Sequence, residues 1–186
     1  DWFELTNRGT TAVDITGWRV DDSSAAFANA LVLNGVTSIA PGESVIFLES
    51  TSPAIAATFR TTWFGVNPPA NLQIGTYTGA GIGLSTGGDA VNIYNAAGVL
   101  QANVVFGASP AGPSFATFDN AAGLNNATIS LLSVVGVNGA FIASGDPNEI
   151  GSPGRIAGTP TPTPTPTPRP LTANNDTYGT AFGTAL

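Results

Sequence analysis

The chain has 186 residues, a formal net charge of −7, a pI near 4.1, 42% hydrophobic residues and only 9% charged ones. It contains no Cys, Met, His or Lys, which excludes disulfide frameworks, thiol catalysis and Cys-based zinc sites and removes the usual general base. Its five arginines (Arg8, Arg19, Arg60, Arg155 and Arg169) are scattered, so no basic patch is expected to neutralise phosphates, and no nucleic-acid partner is expected.

No apolar run approaches the roughly 18–20 residues that span a bilayer. Residues 159–170 alternate Thr and Pro almost strictly, and residues 171–186 are too few to fold alone. What remains is roughly 155 residues, the size of one ordinary domain with a core of its own. With so few charges, the surface must be Asn, Thr, Ser, Gly and Ala, a composition associated with secreted bacterial β proteins.

In chain order, residues 1–22 read as a β-hairpin. Trp2-Phe3-Glu4-Leu5 is the first strand, Asn7-Arg8-Gly9-Thr10 the turn, and the second strand runs through Val13, Ile15 and Trp18 to Val20. Residues 27–32 form a weaker strand. Pro41-Gly42 is a turn, because Pro sets φ and Gly accepts a positive one. Residues 44–48 are apolar on both faces and are expected at the centre of a sheet. Around residues 53–59 a helix of at most two turns is expected, capped by Thr51 or Ser52, with Ile55 and Phe59 on one side.

Residues 60–86 are irregular in pattern. The clearest hairpin follows: residues 89–94 alternate, Asn95-Ala96-Ala97-Gly98 turns, and residues 99–106 return. Strands are also expected at 115–118 and 128–135, with a short one near 139–141. Seven to nine such strands without crossover helices predict an antiparallel all-β sandwich or barrel. The Thr-Pro tract is a polyproline II spacer of about 35–40 Å, at about 3.1 Å per residue. The chain begins at a strand residue and stops within a pattern, and is therefore read as a piece of a longer protein.

Few constellations carry chemistry. Gly83-Leu84-Ser85-Thr86-Gly87 matches the nucleophile-elbow pattern but lacks a His and a following helix, so it reads as a loop. Glu4, Asp21, Asp22, Glu43, Glu49 and Asp89 could supply a glycosidase pair, yet no spacing pairs two of them. Asp21-Asp22-Ser23-Ser24 gathers oxygen ligands in a loop and is the candidate calcium site at Asp21 and Asp22. No other cofactor is expected. Trp63, Tyr77 and Tyr94 are the candidate rings for stacking on a glycan; Trp2 is left open and Trp18 is assigned to the core. Asn126-Ala127-Thr128 and Asn175-Asp176-Thr177 match the N-glycosylation pattern by chance.

Several stretches together resemble the lamin-tail domain of bacterial extracellular proteins. They are Trp2, Glu4, Leu5 and Asn7; Val13-Asp14-Ile15; Gly17-Trp18; Pro41-Gly42-Glu43; Gly87-Gly88-Asp89; and Gly151-Ser152-Pro153-Gly154-Arg155. The resemblance covers residues 1–156, with an insertion at about 54–83, and implies an immunoglobulin-like β-sandwich. The family carries a further strand ahead of Trp-x-Glu-Leu, so an unpaired sheet edge is implied here. Residues 173–186 resemble the opening of a bacterial cadherin-like repeat, which would make Asn175 and Asp176 calcium ligands at a domain junction.

The expectation is therefore an all-β, immunoglobulin-like antiparallel sandwich (1–156) with at most one short helix, a Pro-Thr linker (157–170) and the truncated start of a further β domain (171–186). Its expected role is non-catalytic: interaction, adhesion or spacing in a multidomain bacterial surface or secreted protein, with a protein or glycan partner outside the cell. The alternative is a carbohydrate-binding accessory module of a secreted hydrolase.

Overall fold

The computed structural model describes residues 1–79, 82–122 and 128–155. The Thr-Pro tract, the C-terminal stretch and both glycosylation-pattern asparagines lie outside them.

The centre is a three-stranded sheet ordered β1 (Trp2–Thr6), β6 (Ser44–Glu49), β7 (Ile74–Tyr77). Strand β6 is the middle strand, as its apolar run requires: Val45, Ile46, Phe47 and Leu48 are all buried. Its residues alternate between two cores. Val45 and Phe47 join Phe3 and Tyr77 on one face, while Ile46 and Leu48 join Phe59, Trp63 and Leu72 on the other. Because side chains alternate across a strand, β1 divides in the same way, with Phe3 and Leu5 on the first face and Trp2 on the second.

The first face packs on a five-stranded sheet ordered β11 (Thr128–Ile129), β9 (Leu100–Phe106), β8 (Asp89–Tyr94), β3 (Arg19–Asp21), β4 (Leu31–Val32). Two sheets around one shared core make the immunoglobulin-like sandwich. The second face packs on helix α1 (Ile55–Phe64), which adds a third layer. Smaller sheets pair β2 (Val13–Asp14) with β5 (Ser38–Ile39), and place β13 (Glu149–Gly151) between β10 (Phe115–Ala116) and β12 (Phe141–Ile142).

The opening hairpin does not form. Strand β1 pairs antiparallel with β6, Trp2 opposite Leu48, while β3 pairs with β4 and β8 in the other sheet. Gly17, at φ 74°, breaks the expected second strand into β2 and β3. Residues 1–22 therefore bridge the two sheets.

The helix is longer than expected, ten residues, and Trp63 lies on it. Ile55, Phe59 and Trp63 recur every fourth position, which puts them on one face. The Ala54 N-cap position has no side-chain cap; Gly65 closes the far end, its N–H donating to the Thr61 carbonyl at 2.9 Å. The helix serves as the crossover between β6 and β7, which are parallel neighbours. Two further pairs, β10 with β13 and β11 with β9, are also parallel, so the pairing is mixed where uniformly antiparallel strands were expected. The hairpin of β8 and β9 forms as read, with Gly98 at φ 80° in its turn.

Candidate functional site

The site is built from the free side of β1. Two hydrogen bonds set the phase of its pairing with β6: Glu49 N–H donates to the Asp1 carbonyl and Asn7 N–H to the Glu43 carbonyl. Main-chain groups alternate along an antiparallel strand. Those of Phe3 and Leu5 therefore turn toward β6, and those of Trp2, Glu4 and Thr6 turn away from it. Among the described residues β1 has no second neighbouring strand.

A cavity of about 710 Å³ runs along this free side, lined by Asp1 and every residue of β1. Its floor is the inner face of the five-stranded sheet: Val91 and Ile93 from β8, Ala102, Val104 and Phe106 from β9. Register explains the row, since Val91 faces Val104 and Ile93 faces Ala102 across the hairpin. Phe115 to Asn120 and Ile129 close the third side. The volume is in the range of ligand pockets, roughly 300–1,000 Å³.

Four carboxyl-bearing residues line the cavity (Asp1, Glu4, Asp119 and Glu149) against one cation, Arg155. Glu4 Oε1 accepts the Gly154 N–H and Oε2 accepts the Ser44 hydroxyl. Burial pushes the Glu4 carboxyl up to about 7, more than these two hydrogen bonds pull it down. Burial and the neighbouring Asp146 also raise Glu149. Asp119 takes both carboxylate oxygens to the Asn138 amide and one to the Ala121 N–H. Arg155 lies over the Phe141 ring, 4.4 Å from its centroid, and donates to the Gly139 carbonyl. Glu4 and Asp119 are thus held in place by hydrogen bonds.

The residues singled out from sequence go elsewhere. Trp63, Tyr77 and Tyr94 are core residues, with 3%, 0% and 7% of their surface exposed, so none presents a ring face to a sugar. Trp63 is packed edge-on against Trp2 and Phe141, Tyr77 lies beside Phe3, and Tyr94 meets Phe27 at 5.6 Å. The strand and helix patterns that made them visible are the patterns that bury them. Trp2 covers Trp63 and Phe59, and Trp18 packs against the first core.

Asp21 and Asp22 organise a turn. Asp21 is fully buried, and its Oδ2 accepts from the Ser24 hydroxyl at 2.8 Å and the Ala26 N–H at 2.6 Å. Asp22 Oδ1 accepts the Ser24 N–H. Asp21 Oδ1 is buried without a hydrogen-bond partner, and among the described residues no group of three His, Cys, Asp or Glu could hold a metal ion.

Glu43 and Asp89 are engaged in the same way, Glu43 accepting from the Ala40 N–H and the Gln73 amide. Asp89 is raised by partial burial, but N–H groups of Ser85, Ala90 and Ser23 more than offset that and hold it below the usual carboxylate range. Ser85 accepts the Gly87 N–H in the same turn, which makes the Gly-x-Ser-x-Gly stretch a loop brace. The sequence did not show the β1 groove, because period-two patterning reveals the faces of a strand and not which strands neighbour it.

Fold and groove together define an immunoglobulin-like β-sandwich module with a strand-lined recess. The family model described as Lamin Tail Domain matches residues 1–108, more than half of the chain, and the chain belongs to that family. Strands β10, β11 and β13, beyond the matched segment, contribute to one wall of the groove. Comparison with curated proteins and with solved structures returned no match.

Proposed function

We propose that the chain is a non-catalytic interaction module of an extracellular or cell-surface protein from a bacterium, with residues 159–170 serving as a spacer to a following β module. The observation that carries this reading is the groove itself: an apolar floor beside β1, with Glu4 and Asp119 held in structural hydrogen bonds. Such a recess is suited to holding a partner. The sparsely charged composition and the Thr-Pro tract support the location and the spacer role. Among the described residues no helix is long and apolar enough to cross a membrane.

The carbohydrate-module alternative loses its three proposed ring faces to the core. The test is to incubate the full chain with polysaccharide, peptide and nucleic-acid substrates. Absence of turnover is expected; turnover abolished by one Asp→Asn or Glu→Gln change in the groove would overturn the reading.

A further inference from the structure

Resting on the reading of residues 159–170 as a spacer to a further module, we infer that the turn at residues 152–155 is a tension latch. It passes a pull on the spacer to β1, β12, Asn120 and Gly139 before that pull reaches β13.

The place of the turn in the chain sets what it must resist. Only Ile156, Ala157 and Gly158 separate Arg155 from the Thr-Pro tract. A pull on the tract therefore arrives at Arg155 first and then at Gly151, the end of β13. That strand has three residues and is paired to β10 and β12 through Phe115, Ala116, Phe141 and Ile142. Behind it lies the second core, where a Cβ on Gly151 would meet the Trp63 ring at 2.9 Å. Tension applied straight to β13 would peel its backbone hydrogen bonds one after another and open that core.

The turn is fastened ahead of β13. The Arg155 N–H closes it on the Ser152 carbonyl at 3.0 Å. Asn120 Nδ2 donates to the Arg155 carbonyl at 2.6 Å and to the Ser152 hydroxyl at 2.9 Å, so one amide holds both ends. Between them, the Gly154 N–H goes to Glu4 of β1. The Arg155 guanidinium donates to the Gly139 carbonyl at 3.2 Å and lies 4.4 Å from the centroid of the Phe141 ring. An arginine suits this place, because its fork holds a carbonyl while its plane rests on an aromatic face. Pro153 is fully buried, and Gly154, at φ 72°, sits where a Cβ would strike Leu72. These partners lie far apart in the chain, so a pull on the turn loads them together. Contacts loaded together raise the barrier to forced release, and that barrier sets the opening rate under tension.

The experiment uses the full chain. Trypsin reads the latch directly, since the chain has no lysine and Arg169 is protected by the Pro170 that follows it. Cleavage at Arg155 needs the residues before it extended, and Ser152 and Pro153 are buried, so the turn must open first. The folded chain is expected to be cut there at least about a hundredfold more slowly than a synthetic peptide of residues 150–162. Asn120→Ala is expected to speed this cut at least about tenfold, and Arg155→Lys, still a trypsin site, to speed it relative to its own peptide. Asp21→Ala, which weakens the other sheet, is expected to leave it unchanged. For the pull itself, Ala97→Cys in the β8–β9 turn and Leu186→Cys supply two thiols in a chain that has none. Stretched between them at a fixed force, the chain carrying Asn120→Ala is expected to open at least about tenfold faster than the parent.

Equal cleavage of folded chain and peptide overturns the inference, as does an Asn120→Ala chain that opens at the parental rate under force. So does an Asp21→Ala chain cut at Arg155 as fast as the Asn120→Ala chain, because the turn then opens only with the whole fold. A longer polypeptide with no folded module beyond residue 186 defeats the spacer reading and leaves these rates unchanged; free cleavage at Arg155 defeats only the latch.

Discussion

Glu4 Oε1 accepts a hydrogen bond from the N–H of Gly154, 150 positions further along the chain. The contact ties the first strand to the turn that carries Ser152, Pro153 and Arg155. Pro153 is fully buried, and Asn120 Nδ2 donates to the Arg155 carbonyl and the Ser152 hydroxyl. The end of the described fold is therefore anchored beside the groove.

Burial of the Glu4 carboxyl, which outweighs that contact, makes stability depend on pH in a defined direction. The folded chain holds the Glu4 proton more tightly than an unfolded chain, whose carboxyl titrates near 4.5. Stability from this group is complete below that value and is lost as pH rises through about 7. Because Glu4 is half-buried, solvent screening reduces the effect to on the order of 1–2 kcal/mol. Denaturant unfolding of the parent chain and Glu4→Gln at about pH 4 and about pH 8 isolates it. The parent's advantage over the variant should shrink across that interval; a constant or growing difference refutes the assignment.

Trp63→Ala should unfold far more readily than the parent. The ring is enclosed by Trp2, Phe59 and Phe141, so its removal leaves a cavity between α1 and the central sheet. The expected cost is about 3–5 kcal/mol, read as a shift of the denaturation midpoint with little change of slope. A ligand-stacking surface Trp would cost almost nothing.

Gly75→Ala tests the packing of β7. A Cβ at this position would collide with the carbonyl oxygen of Asn34 and with the Phe47 ring. Asn34 is held by reciprocal backbone hydrogen bonds with Thr76, so it has little room to retreat. Destabilisation of about 1–3 kcal/mol is expected. A neutral result in thermal or denaturant unfolding would mean that the 34–36 segment moves freely.

Asp21→Ala removes two hydrogen bonds that close the 22–26 turn. The expected loss is about 1–3 kcal/mol, because the part-buried Ala26 N–H is left without its acceptor. The same unfolding curves run with and without excess calcium test the cation reading. No calcium-dependent shift is expected of the parent chain, and a shift that Asp21→Ala abolishes would reinstate the site.

Local chemistry made part of this fold legible. The hairpin from Asp89 to Phe106 was readable because its turn, its alternation and its two strands are contiguous in the chain. The same holds for β6, where five successive buried residues, from Ser44 to Leu48, allow only a central strand. Helix α1 was half-read: the spacing of Ile55, Phe59 and Trp63 extends it, but Thr61 and Thr62 lower its intrinsic propensity and disguise the last turns.

Which strand pairs with which is another matter. Trp2 opposite Leu48 and Glu4 beside Gly154 are long-range choices settled by how two cores close around one sheet. The burial of Trp63, Tyr77 and Tyr94 follows from the same closure, and so does the groove. Sequence by itself determined an all-β chain with a strongly apolar central strand, an acidic surface and no histidine or cysteine chemistry. Only the tertiary structure decided that β1 lies beside β6 in the central sheet and not beside β3, since hydrophobic periodicity records which way each side chain points and not which strands are neighbours.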